Sequence, residues 1–192
     1  METPAAAAPT SDAAGTAQPF VLVAYWSQTG MTKRLAEAVA EGALAAGARV
    51  RILPVDSIGG AVLDSADAVL LGSPTHWANI ATPMKAFIDR WPELGFSARD
   101  RIGGAFATGG TGGGGMEEVV TSLLLAMLNH GMIVVGPVFR EGDIEFGNFG
   151  VAAATGSTAS PSIAETSLEA ARALGRRATE IASLRPRGRG TP

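Results

Sequence analysis

Three short stretches of this 192-residue chain gather groups better suited to holding a small molecule than to packing a core. The first, Ser27, Gln28, Thr29, Gly30, Met31, Thr32, stands directly before a run of helical periodicity. The hydroxyls of Ser27, Thr29 and Thr32, joined to the free amides of a helix N-terminus, would cradle a phosphate without lysine or arginine. The same residues would also serve as an ordinary Ser/Thr-rich cap. The second stretch is Ser73-Pro74-Thr75-His76-Trp77-Ala78-Asn79. A planar ligand could lie against Trp77, with backbone amides and the Asn79 amide at its polar rim; alternatively Trp77 is a packing plug and His76 is solvated. The third, Thr108, Gly109, Gly110, Thr111, Gly112, Gly113, Gly114, Gly115, holds six of the chain's 25 glycines. Backbone without side chains can approach a ligand closely, and a connection from a buried strand to a packed helix needs no such density of glycine to bend.

Gly110, Gly112 and Gly115 satisfy the spacing G-x-G-x-x-G. That fingerprint belongs after the first strand, with an acid at the end of the next; here Val138 is followed by Phe139 and Arg140, and the phosphate-loop lysine is missing. Neither a dinucleotide fold nor a triphosphatase is indicated. His130, in Asn129-His130-Gly131, is either a partner for a helix C-terminus or a catalytic donor. With two histidines in the chain and no acidic cluster beside either, a metal site is not expected.

Composition narrows the chemistry further. Cysteine is absent, which excludes disulfide frameworks, thiolate metal sites, Fe–S clusters and cysteine nucleophiles, so redox work requires a bound cofactor. A net charge of −3 with 17% charged residues points to neither a nucleic-acid surface nor a strongly acidic docking face. The length suits one domain, expected over residues 19–184, between a disordered leader (1–18) and a disordered tail (185–192) to which no function is assigned. The leader holds no signal-peptide core, and no stretch approaches the ~18 apolar residues of a membrane span. A soluble, cytoplasmic protein that neither inserts in membranes nor binds nucleic acid is expected.

The elements that must position these groups alternate strand and helix. Residues 20–26 read as a strand buried on both faces, followed by a helix over 33–46 closed by Gly47. Strands are expected at 50–55, 67–72, 102–107 and 132–138, and helices at 83–91, 116–130 and about 162–184, the last with Ser162 and Glu165 as a capping box. Such βα units with right-handed crossovers build an α/β fold, a three-layer doubly wound sheet of five parallel strands. Ligands bind such sheets beyond the carboxyl ends of the strands, and the three stretches follow strands one, three and four.

In these motifs the chain resembles the flavodoxin-like superfamily and, within it, the WrbA-type NAD(P)H:quinone oxidoreductases. The likeness runs from Phe20 to Leu184 and is carried by Gly72-Ser73-Pro74-Thr75 running into Asn79, by Thr108 to Gly114, and by His130-Gly131-Met132. The resemblance implies the strand order 2-1-3-4-5 and FMN as cofactor. It further implies that Ser27 to Thr32 hold the phosphate, that Thr75, His76 and Trp77 line the isoalloxazine, and that Thr108 to Gly113 wrap the pyrimidine edge. His130 would reach in from a neighbouring part of the pocket or from another subunit. The chain departs from WrbA-type enzymes in carrying Thr29 where they have a tyrosine that contacts the nicotinamide nucleotide, and in a short link, 56–65, between strands two and three.

The function so implied is two-electron reduction of a quinone or similar acceptor by NADH or NADPH, in a homo-oligomer (dimer or tetramer). Two other readings stay open at this point: a flavodoxin-type electron carrier with no small-molecule substrate of its own, and a flavin-free scaffold that kept the fold.

Overall fold

A computed structural model of the chain describes residues 18–141, 143–156 and 159–185. The expected leader and tail therefore lie outside the described residues, apart from Gln18 and Arg185. The elements are β1 (Phe20–Tyr25), α1 (Met31–Ala45), β2 (Arg49–Pro54), α2 (Gly60–Asp64), β3 (Ala68–His76), β4 (Asn79–Ile80), α3 (Thr82–Asp89) and β5 (Ile102–Gly109). They continue with α4 (Met116–Asn129), β6 (Ile133–Val134), β7 (Val138–Glu141), β8 (Ile144–Gly147), β9 (Val151–Ala154) and α5 (Glu165–Ser183).

Burial on both faces makes the central strands continuously apolar, and their alternate side chains divide into two cores. Phe20, Leu22 and Ala24 of β1 face the layer of α3 and α4, where Met84, Phe87, Trp91, Leu123 and Met127 pack. Val21 and Val23 face α1 and α5, against Leu35, Val39, Leu168 and Leu174. The parallel order is β2-β1-β3-β5, with β6 and β9 both on the far side of β5. This is the doubly wound, flavodoxin-like order 2-1-3-4-5, with the fifth place shared by two segments.

That sharing corrects the sequence reading, which ran one strand through 132–138. β6 pairs with only Ile102 and Gly103, and the Val135 amide makes a further bond to the Gly103 carbonyl at 2.8 Å. Pro137, with no N–H to donate, cannot prolong the ladder. The chain leaves the sheet, forms the antiparallel β7–β8 hairpin, and re-enters as β9 beside residues 106–109.

Other boundaries differ for local reasons. The stretch after β3, expected as a loop, prolongs β3 to His76 and folds back through Trp77 and Ala78 into β4. The 56–65 link contains a 3₁₀ turn, Val55–Ser57, and α2. Gly47 closes α1 as expected, at φ +88°, its amide bonding the Leu44 carbonyl while that of Ala48 bonds Ala43. The capping box at the start of α5 does not form: Ala164 occupies the cap position without a side-chain bond. The Glu165 carboxylate is held instead by Arg172, 2.7 Å from its Nη1. No helix among the described residues is long and apolar enough to cross a membrane.

Candidate functional site

The carboxyl ends of β1, β3 and β5 bring the three stretches together. After β1, Gly30 takes φ +88° and its amide donates to the Ser27 hydroxyl at 3.1 Å, so the chain turns sharply into α1. The ladder of α1 begins only with the Arg34 amide, which bonds the Gly30 carbonyl at 3.0 Å. The amides of Met31, Thr32 and Lys33 precede it and, as in any first helical turn, have no helical acceptor. Gln28 and Thr29 are exposed beside them, and Met31 is half-buried. A cluster of donors at a helix N-terminus suits an anion.

The hairpin after β3 is fixed at its base by Ser73, which is fully buried. Its hydroxyl donates to the Pro74 carbonyl at 2.8 Å and accepts the Ala81 amide at 3.1 Å. At the tip, Trp77 and Ala78 have φ +53° and +60°, a conformation that non-glycine residues adopt at a cost of order 1 kcal/mol or more each. Trp77 is 97% exposed, which removes the packing-plug reading. Its ring stands at the rim of the loop cluster, with the Asn79 Nδ2 donating to its carbonyl at 3.0 Å, so that donor is engaged within the turn. His76 lies edge-on to Trp26, centroids 5.3 Å apart. Trp26 adjoins the site without having been singled out from the sequence, where it reads as the last residue of a buried strand.

The glycine stretch completes the cluster. Gly115, at φ +87°, starts α4 with Ala78 against it so closely that a Cβ there would overlap the alanine methyl. Hairpin and helix therefore dock through backbone. Gly112 and Gly113 face open space, and Thr111 accepts the Gly114 amide at 3.2 Å. A fourth loop, missed in the sequence because β9 was not foreseen, joins here. The amide and hydroxyl of Thr155 both donate to the Gly109 carbonyl, at 2.8 and 3.1 Å, and the space before Gly110 meets the Gly156 carbonyl.

Two hydroxyl arrangements at this edge test whether a ligand fits. Thr75 Oγ1 is buried without a hydrogen-bond partner among the described residues. Thr32 and Thr108, 1% and 3% exposed, bond each other at 2.8 Å. Buried polar groups are costly unless satisfied, so donors left over beside open glycine backbone, a helix N-terminus and an exposed indole fit a ligand with an anionic end and a planar, polar-rimmed body. FMN has that form.

His130 lies elsewhere. The 14-residue α4 leads away from the glycine stretch to the amino edge of the sheet, about 21 Å at 1.5 Å per residue. There His130 ends the helix and its ring leans on Trp91, centroids 5.0 Å apart. Trp91 is fully buried and its Nε1 has no hydrogen-bond partner among the described residues. The chain's own loops and its own His130 are not brought together. Among the described residues no group of histidine and acidic side chains could hold a metal ion.

Known proteins resemble this chain in sequence and in fold. The family model for NADPH-dependent FMN reductase matches residues 60–142. An NAD(P)H dehydrogenase (quinone) of Sinorhizobium fredii is 31% identical, over 85% of this chain and 96% of that protein. One of Geotalea uraniireducens is 34% identical, over 85% and 97%. The crystal structure of a flavodoxin, WrbA-like protein from Agrobacterium tumefaciens superposes with a TM-score of 0.67 at 29% identity, covering 86% of this chain and 98% of that one. With a shared identity of this size along nearly the full length of both partners, the chain belongs to the NAD(P)H dehydrogenase (quinone) family of flavodoxin-like fold.

Proposed function

We propose that this chain is an FMN-dependent oxidoreductase that carries two electrons from NADH or NADPH to a quinone. The observation that carries the reading is the surplus of donors at the carboxyl edge: first-turn amides, an unpartnered Thr75 hydroxyl and a buried hydroxyl pair around open glycine backbone. When bound, FMN supplies hydride acceptance and two-electron delivery; the second proton of the hydroquinone comes from water. Ser27, Gln28, Thr29, Gly30, Met31 and Thr32 hold its phosphate. Thr75, His76 and Trp77 line its ring, with Asn79 bracing the turn that presents them. Thr108, Gly109, Gly110, Thr111, Gly112 and Gly113 follow its polar edge with backbone.

The exposed Trp77 indole would offer a face on which a quinone or a nicotinamide could stack in turn. The cytoplasmic location expected from the sequence follows from dependence on a reduced nicotinamide nucleotide. A homo-oligomer is supported by exposed apolar side chains on α4 (Leu125, Leu128), on β6 (Ile133) and in the inserted segment (Ile144, Phe146, Phe149). His130, next to that surface and a helix length from its own loops, serves the site of a neighbouring copy.

The test is spectroscopic. Purified protein should be yellow or bind added FMN, be bleached by NADH or NADPH without oxygen, and regain colour when a quinone is added. Protein that takes up no FMN overturns the reading. Flavoprotein that neither nucleotide bleaches would instead be an electron carrier.

A further inference from the structure

The Thr32 and Thr108 hydroxyls bond each other at 2.8 Å, and neither has a second partner among the described residues. Two hydroxyls carry two hydrogens, and the single bond between them uses one. The other O–H is left over where the residues are 1% and 3% exposed, an arrangement that becomes favourable only when an acceptor arrives. Position decides which hydroxyl keeps it. Thr108 lies within β5, flanked by Pro74 of β3 and Ala153 of β9, and its neighbours are strands. Thr32 lies in the first turn of α1, among amides that point at the same anion position.

We propose that Thr108 is a positioning residue for the FMN phosphate: it donates to Thr32 and thereby turns the Thr32 O–H onto a phosphate oxygen. The proposal rests on the FMN reading and gives the Thr108 side chain a role at the phosphate, apart from the one its backbone takes at the polar edge of the ring. Thr32 is the second residue of α1, before any helical carbonyl stands three or four residues behind it, so its O–H has no back-bond within the helix to compete with a ligand. A charged acceptor strengthens such a hydroxyl chain, because each bond polarises the next.

FMN and riboflavin share the ring and differ in the phosphate, so the two ligands separate the roles. Affinities of flavin-stripped protein for both are measured by quenching of flavin fluorescence. Thr32→Val is expected to weaken FMN binding about ten- to a hundredfold, the loss of a charge-assisted bond, and to leave riboflavin nearly unchanged. Thr108→Val should weaken FMN about two- to tenfold, the cost of ordering one freed side chain, and again spare riboflavin; Thr108→Ser should restore it. Because Thr108 acts through Thr32, the double variant should bind FMN no worse than Thr32→Val alone. The double variant also replaces both partners of a buried bond by apolar groups of like shape, which keeps the fold.

Equal weakening of FMN and riboflavin by Thr108→Val, no weakening of either, or a double variant losing the full product of the two single effects would each overturn the relay. Wild-type protein that binds neither flavin would overturn the FMN reading itself, a failure distinct from these.

Discussion

Thr75 carries a hydroxyl that the fold leaves unsatisfied among the described residues. Leaving such a buried group unsatisfied costs about 1–3 kcal/mol. Thr75→Val should therefore raise the stability of the flavin-free protein by about 1 kcal/mol in urea unfolding while weakening flavin binding several-fold. A variant that loses both would make Thr75 an ordinary structural residue. Trp77 carries the complementary lesson. Its residue type marked the loop in the sequence, but the choice between plug and platform could not be made there, because exposure depends on the turn. Two consecutive positive-φ residues without glycine carry no sequence signal, and they put the indole in solvent.

The elements were legible where apolar periodicity was long. The helices α1, α4 and α5 and the strands β1, β2 and β5 all fall within a few residues of the expected spans. The fifth strand was not legible, because an insertion divides it and its second half, Val-Ala-Ala-Ala, is too short and too small to stand out. Close helix packing was hidden as well. Gly42 of α1 and Gly175 of α5 face each other's helix so closely that a Cβ on Gly175 would fall on the Val39 carbonyl, and one on Gly42 on the Arg172 carbonyl. Arg172 ties the same pair of helices, 2.9 Å from Glu41 and 2.7 Å from Glu165. Its bonds to Glu165 and then Glu41 raise the guanidinium pKa above its usual value, so Arg172 itself stays charged. Gly175→Ala should cost about 1–3 kcal/mol, measured by urea unfolding, despite the better helix propensity of alanine. An unchanged or raised stability would show that the two helices separate without penalty.

For the whole molecule, the distance between His130 and the loop cluster requires an assembly if His130 takes part in catalysis. Light scattering after size exclusion should give a dimer or tetramer, and Phe149→Ser with Leu128→Ser should shift it toward the monomer. His130→Ala should then lower quinone reductase kcat while leaving FMN affinity unchanged; a monomeric wild type with an unaltered kcat in the variant would remove His130 from the mechanism. By itself the sequence determined the class of fold, the dependence on a cofactor and the edge of the sheet where the three stretches gather. Local physical rules suffice for these, since periodicity, missing cysteine and glycine density act within a few residues or over the whole composition. Tertiary structure alone decided which hydroxyls meet, that Trp77 is exposed, that Thr155 joins the site and that His130 does not reach its own loops. Each depends on residues far apart in sequence, such as Thr32 and Thr108, being carried to one place by strands whose register no local pattern records.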